Sequence, residues 1–331
     1  MAAVVARCVL SEWRLTFELV VGVVLNLQCF HHRGPALVNY KQIDAASYDE
    51  VAAEFDRLTE RFSTPIAMRI IELAQLKPSD CILDVGTGTG LIALRVARLL
   101  AGGRVIGIDH SAGMMEQACA KARRSGLGEV VAFRQMDAEQ LEFPDQSFDV
   151  VLSNYALFHF PDPLRAVGEM HRVLRPGGHV VIGVGSGPTL LSRRGIRQGV
   201  RRVADLVAAA RGRLLTAPQF LHRLMVEYGM NPNETRGPRT SQPGTERMLR
   251  QVGFKRIRRD WQGHREELDP EDFWSVQVTC ASRERIRLQE ASAQEVAALK
   301  QEFLERCRRV QAKSGTLVYR HGAMFYAGMR G

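Results

Sequence analysis

From Tyr48 onward the chain carries a helical period, with Val51, Phe55, Leu58, Phe62, Ile66, Ile70 and Leu73 recurring three or four residues apart until Lys77-Pro78 ends it. Short apolar runs then alternate with helical patterns. The runs at 81–85, 104–108, 130–135, 150–153 and 179–184 read as strands, and 91–100, 113–123 and 163–173 as helices between them. Strand–helix alternation of this kind predicts an α/β fold whose mostly parallel sheet has helices on both faces. No internal repeat recurs at a fixed period.

Beyond 185 the pattern loosens. A helical stretch leads into a Gly, Pro, Asn and Thr cluster at 230–244, then 254–261 reads as a strand and 270–311 as charged helix. The last apolar segment, 317–329, fits one strand or two arms turning at His321-Gly322. At the other end, the longest uncharged apolar run, 19–30, is twelve residues and includes Asn26 and Gln28. A membrane-spanning helix needs roughly 18 or more. Glu18 and the lack of a small-residue cleavage site also set it apart from a signal peptide, so 1–40 is expected to be a dispensable extension.

Composition bounds the class without naming a function. The 331 residues, 45% hydrophobic and 24% charged, suit a globular core rather than a disordered or low-complexity chain. Six cysteines, at 8, 29, 81, 119, 280 and 307, form no C-x-x-C pair and no zinc-ligand spacing, so they read as reduced thiols of a cytoplasmic protein with no metal site. The net charge of +9 is concentrated: residues 191–260 hold 16 basic and 5 acidic side chains, a surplus of +11. Such a surplus raises the possibility of a nucleic-acid partner, and Arg193, Arg194, Arg197, Arg201 and Arg202 fall largely on one helical face, the ordinary pattern of a solvated surface.

The sharpest local chemistry lies at 81–90, an apolar strand running into Asp84-Val85-Gly86-Thr87-Gly88-Thr89-Gly90 and then a helix. Glycines let the backbone turn tightly and approach a ligand, and the helix that follows offers free N–H groups. The next strand ends at Asp109, nineteen residues past Gly90, which sets a carboxylate beside the loop where it can accept from ribose hydroxyls or cap the next helix. A dinucleotide loop wants a third small residue three places after the second glycine, where this chain has Leu91.

These residues resemble the first two motifs of class I S-adenosylmethionine-dependent methyltransferases. The similarity continues in order through Ile108-Asp109-His110-Ser111 with Met114, Gln135-Met136-Asp137-Ala138-Glu139, Phe148-Asp149-Val150-Val151-Leu152-Ser153-Asn154, and Arg172 to Val180. Tyr48 to Asp56 is similar to the N-terminal lid helix of the quinone-biosynthesis, UbiE-like branch. The resemblance implies a Rossmann-like, doubly wound, seven-stranded sheet over 41–331, with a cap insert at 186–248 and a helical insert at 268–315.

It also implies S-adenosyl-L-methionine as cofactor and a set of roles. Asp84 and the backbone of Gly86 and Gly88 would face the methionine end, with Gly90 closing the loop; Asp109 would hold the ribose. Met114 would pack on the adenine or simply in the core, and Asp137 with the Ala138 N–H would read its edge. Tyr48, His110, Ser153 and Asn154 complete the expected cofactor set, and Tyr155 and Phe158 are candidates for the pocket wall or for plain packing. His159 is the candidate catalytic base, with a turn-capping role as the alternative. The segment Ser153 to Phe160 lacks the N-P-P-Y pattern of enzymes that methylate base amines. The expected reaction is therefore methyl transfer to a small-molecule acceptor; an RNA-associated enzyme using 191–260 and a non-catalytic cofactor-binding relative are the alternatives. In the cap, Phe220, Leu221, Leu224 and Met225 are candidates to point at that acceptor.

Overall fold

The apolar run Cys81–Val85 forms β1 because it is buried from every side: β2 (Arg104–Asp109) and β4 (Phe148–Asn154) pair with its two edges, both in parallel. This computed structural model describes residues 35–185, 204–205, 207–217, 219–232 and 244–331. Outside β2 lies β3 (Val131–Gln135), and outside β4 lies β5 (Leu174–Gly185), also parallel. The sheet then reverses: β8 (Thr316–Met329) runs antiparallel to β5 and carries β7 (Lys255–Glu267) on its other edge. A short parallel strand, β6 (Leu214–Ala217), pairs with residues 316–319 of β8, beyond the stretch that β5 covers, for an order of β3-β2-β1-β4-β5-β8-β6.

The sheet is therefore mostly parallel, with eight strands where seven were expected. The extra one is β6, whose four residues are too few to leave a period-2 signature. Alternation along β1 sends Leu83 and Val85 to one face, against α6 (Pro163–Val173) and α8 (Thr245–Val252), and Ile82 to the other, against α3 (Thr64–Ala74) and α4 (Leu91–Ala97). Helices on both faces make it doubly wound.

Three local readings change. The period running through 48–73 is three helices: Tyr48 lies in the last turn of α1 (Pro35–Asp49), and Ser63 separates α2 (Ala52–Phe62) from α3, whose first turn holds Pro65. Helix α1 runs through the boundary expected at residue 40, and Tyr40 inside it is buried. Finally, β8 does not turn at His321-Gly322; these pair straight across with His264 and Gly263. Glycine stands there for closeness: a Cβ on Gly322 would lie 3.1 Å from the Gln262 carbonyl and from the Trp261 ring.

The charged stretch at 270–311 folds as α9 (Pro270–Cys280), α10 (Ser282–Gln289) and α11 (Ala293–Gln311), the last opened by a capping box between Ser292 and Glu295. With α7 (Gln219–Glu227), α2 and the start of β8 they enclose a separate core around Phe273 and Phe303. Phe220, Leu221, Leu224 and Met225 are buried in that core and do not reach the cavity described below. Arg193, Arg194, Arg197, Arg201 and Arg202 lie outside the described residues.

Candidate active site

Where β1 ends, the chain bends through Gly86, Gly88 and Gly90 at φ of 70°, 55° and 82°, a region side chains resist. Gly86 has a second reason to lack a side chain, since its Cβ would sit 2.3 Å from that of Ala156. The Gly86 and Thr87 N–H groups both donate to the Ile108 carbonyl at 2.9 Å, which ties the loop to the end of β2. Beside them the Gly88 N–H donates to Asp109 Oδ2 at 2.9 Å, and the Ser111 N–H to Oδ1 at 3.1 Å. Burial raises the Asp109 pKa, and those two hydrogen bonds only partly offset it. The Asp109 carboxylate keeps free lone pairs on the cavity side.

That cavity, about 380 Å³, lies at the carboxyl ends of the parallel strands, roofed by α1 and α2 and closed by α9 and β8. Of the residues expected from sequence, Tyr48, Gly86, Gly88, Asp109, His110, Met114, Ala138, Asn154 and His159 line it together, as do Tyr155 and Phe158. Four others stand off the lining. Asp84 is buried on the α4 face of β1 and accepts from the Thr87 hydroxyl at 2.7 Å; burial pushes its pKa up to about 7. Gly90 starts α4, where a Cβ would lie 2.8 Å from the Phe133 ring. Ser153 is fully buried within β4. Asp137 accepts the Glu139 N–H at 2.8 Å and is bound by the Lys41 ammonium, which holds its pKa down against burial.

His159 ends the short 3₁₀ turn Leu157–His159, and its Nδ1 is 2.7 Å from Oδ2 of Asp44 on α1. Burial alone would raise the Asp44 pKa; the His159 hydrogen bond and charge, helped by Ser282 and Arg285, outweigh it and hold the carboxyl below its ordinary value. The ring is further fixed by Tyr48, edge-on at 5.5 Å, and by Phe158 at 4.3 Å. Tyr48 is itself clamped under the buried guanidinium of Arg285, 4.0 Å from its centroid, whose Nη2 donates to Ser47 at 2.9 Å. Asp44 and Lys41 escaped the sequence reading because they precede the recognisable pattern, in a helix with no clear apolar face.

The far end of the cavity is built by late elements. Tyr155, with the unusual φ of 57°, meets Cys280 from α9 and Tyr319 and His321 from β8. Tyr319 stacks on His321 at 4.8 Å. Burial raises the pKa of both tyrosines, pushes that of Cys280 up to about 12 and lowers that of His321 to about 4. Cys280, Tyr319 and His321 carry no motif; the pairing of β8 across the sheet brings them here.

Part of the chain is similar to known proteins. Residues 83–182 match the family model described as a methyltransferase domain. The ubiquinone/menaquinone biosynthesis C-methyltransferase UbiE of Bdellovibrio bacteriovorus is 34% identical over 139 residues, covering 41% of this chain and 58% of that protein. The aklanonic acid methyltransferase DauC of Streptomyces sp. is 32% identical over 143 residues, covering 43% and 64%. In both cases the chain spans less than two thirds of the relative's length. Among solved structures, the YcgJ protein of Bacillus subtilis aligns with a TM-score of 0.48 at 21% identity, covering 80% of this chain and 97% of that one. Over residues 83–182 the chain is thus similar to methyltransferase domains.

Proposed function

We propose that the chain binds S-adenosyl-L-methionine in this cavity and catalyses in-line transfer of its methyl group to a small-molecule acceptor. The observation that carries the reading is Asp109: a partly buried carboxylate at the end of β2 that grips the glycine loop through the Gly88 N–H and lines the cavity. A pair of ribose hydroxyls would complete its hydrogen bonding. The loop fits the same ligand, because Gly86 and Gly88 present bare backbone to the cavity. Met114, 2% exposed and on the lining, offers a polarizable surface to a flat base, and the Ala138 backbone borders the same end. In this reading Asp84 acts indirectly, holding the bend of the loop through Thr87.

The bound cofactor supplies a methyl group already activated by a sulfonium, so the protein's main tasks are alignment, exclusion of water and removal of a proton. Alignment alone contributes on the order of 7–11 kcal/mol to such displacements. Asp44 holds His159 Nδ1, which fixes the ring so that Nε2 can accept the proton an acceptor loses as its atom bonds to carbon. Tyr48 and Phe158 keep the imidazole from rotating away. Two of the similar proteins are named for ubiquinone/menaquinone biosynthesis and for aklanonic acid, which accords with a small-molecule acceptor here.

Calorimetry tests the cofactor assignment directly. Asp109→Ala should weaken S-adenosylmethionine binding by about 1.5–3 kcal/mol for each charge-assisted hydrogen bond lost, while NADH should not bind the unaltered protein. Binding of NADH in place of S-adenosylmethionine would sink the assignment.

A further inference from the structure

The cavity is electrically lopsided. Among the described residues, Lys41, Asp44 and Asp109 are the charged side chains on its lining, and each is already engaged: Lys41 with Asp137 and Glu139, Asp44 with His159, Asp109 with the Gly88 and Ser111 N–H groups. Lys41 and Asp44 come from α1, and Asp109 stands at the end of β2 beside the glycine loop. The opposite end, made by Tyr155, Tyr319, His321 and Cys280, offers only groups that are neutral near pH 7.

That neutral end is also unsatisfied. The Tyr155 hydroxyl is buried without a hydrogen-bond partner among the described residues, and neither ring nitrogen of His321 reaches hydrogen-bond geometry, the Phe62 backbone being the one neighbouring hydrogen-bonding group that favours its charged form. Buried polar groups left open in this way cost stability, and they reward a ligand that completes them. They also disfavour a charged group, which would lose its water here: the nearest buried charge, the Arg285 guanidinium behind Tyr48 and Cys280, is off the lining and already engaged by the Ser47 hydroxyl and the Thr279 carbonyl.

We propose that this end is the acceptor compartment, and that it selects an uncharged molecule presenting a hydroxyl or carbonyl oxygen to Tyr155 and His321. The inference rests on the methyltransferase reading above, and deepens it: Tyr155 and His321 determine specificity, whereas His159 handles the proton. Their chemistry is matched to such an oxygen. The Tyr155 O–H donates to it, and a neutral His321 either accepts from a hydroxyl or donates to a carbonyl according to its tautomer. Acceptors with an ammonium, carboxylate or phosphate at this position are disfavoured because no charged side chain of this end reaches the lining.

Three rings of one shape and different charge test this: 4-hydroxybenzyl alcohol, 4-hydroxybenzoate and tyramine, each titrated into protein saturated with S-adenosylhomocysteine. The uncharged ring should bind at least about tenfold more tightly than either charged one, and Tyr155→Phe and His321→Leu should each cost it about tenfold. Both variants should keep the affinity for S-adenosylhomocysteine, which controls for folding. Equal or tighter binding of a charged ring, no measurable binding of the uncharged ring, or indifference to both substitutions would overturn the compartment while leaving the cofactor reading intact. Failure of S-adenosylhomocysteine itself to bind would overturn both.

Discussion

At the scale of single residues, the pocket depends on charges placed where water is scarce. Asp44 is 5% exposed and joined to His159, so Asp44→Asn replaces a charge-assisted hydrogen bond with a neutral one and should cost roughly 1–3 kcal/mol of stability at pH 7. Because the folded pKa of Asp44 is depressed, its contribution is present above the unfolded value and fades as pH falls through the folded one. The stability gap between the unaltered protein and Asp44→Asn should therefore close under acid, as denaturant melts at pH 7 and pH 3 would show. His321 has its pKa lowered to about 4, so the unfolded chain binds its proton first as pH drops from 6.5. Stability then falls between about pH 6.5 and 4, by roughly 3 kcal/mol at most for this one group. Asp84, whose pKa is raised to about 7, pulls the opposite way over much of that range. The difference between the unaltered protein and His321→Leu isolates the histidine: the variant should have the flatter acid limb, and parallel limbs would contradict a neutral buried ring.

At the scale of elements, the site is a seam between α1 and the strand ends. Asp49, the last residue of α1, accepts from the Ser111 hydroxyl at 2.6 Å and the Gly113 N–H at 2.8 Å, which docks the helix onto the start of α5 (Ala112–Arg124). Gly113 permits that approach; a Cβ there would stand 2.7 Å from the Asp49 Cα. Gly113→Ala should push α1 outward, weaken S-adenosylhomocysteine binding about tenfold or more and lower the melting temperature, since α1 carries Asp44 and Tyr48. Unchanged affinity would mean that α1 does not roof the ligand. The glycine loop and the strand ends were legible from sequence because both depend on local geometry that few residues satisfy: Gly86, Gly88 and Asp109 announce themselves. Helix α1 was not, because its contribution comes from docking at Asp49 and Arg285, contacts 62 and 238 residues away along the chain.

At the scale of the whole molecule, a ligand that bridges α1, the loop and β4 should stabilise all of them at once. S-adenosylhomocysteine at a hundredfold excess over its Kd should add about 2.7 kcal/mol to unfolding, and hydrogen exchange should slow in α1 and in Leu157–His159 as well as in the loop. Protection confined to the loop would argue against a shared cavity. The surplus of basic residues at 191–260 makes a second global test worthwhile. A protein that neutralised six duplex phosphates would lose about a thousandfold in affinity between 50 and 200 mM salt. DNA and RNA should instead bind weakly and without defined stoichiometry; methyl incorporation into RNA that vanished on reversing Arg197, Arg201 and Arg202 to Glu would favour a nucleic-acid acceptor. The parallel strands β1 to β5 could be read from alternation, whereas β6 and the third core around Phe273 and Phe303 could not, since the helices of that core meet only after β8 has crossed back beside β5.

The unbroken course of β8 gives acceptor choice its own margin for change. Residues 317, 319, 321, 323 and 325 share one face of the strand, and two of them, Tyr319 and His321, enter the cavity while Ala323 and Phe325 continue into the core beside α3. The register against β7, continuous from Arg258 opposite Ala327 to Glu267 opposite Val318, fixes which face that is; a slip of one residue would offer Val318 and Arg320 instead. On the acceptor reading proposed above, two neighbouring inward positions on a strand held in register by β7 should thus accept other side chains while the backbone hydrogen bonds stay as they are. A lineage, or a mutant library at 319 and 321, can sample new acceptors there without disturbing the glycine loop on the far side of β4.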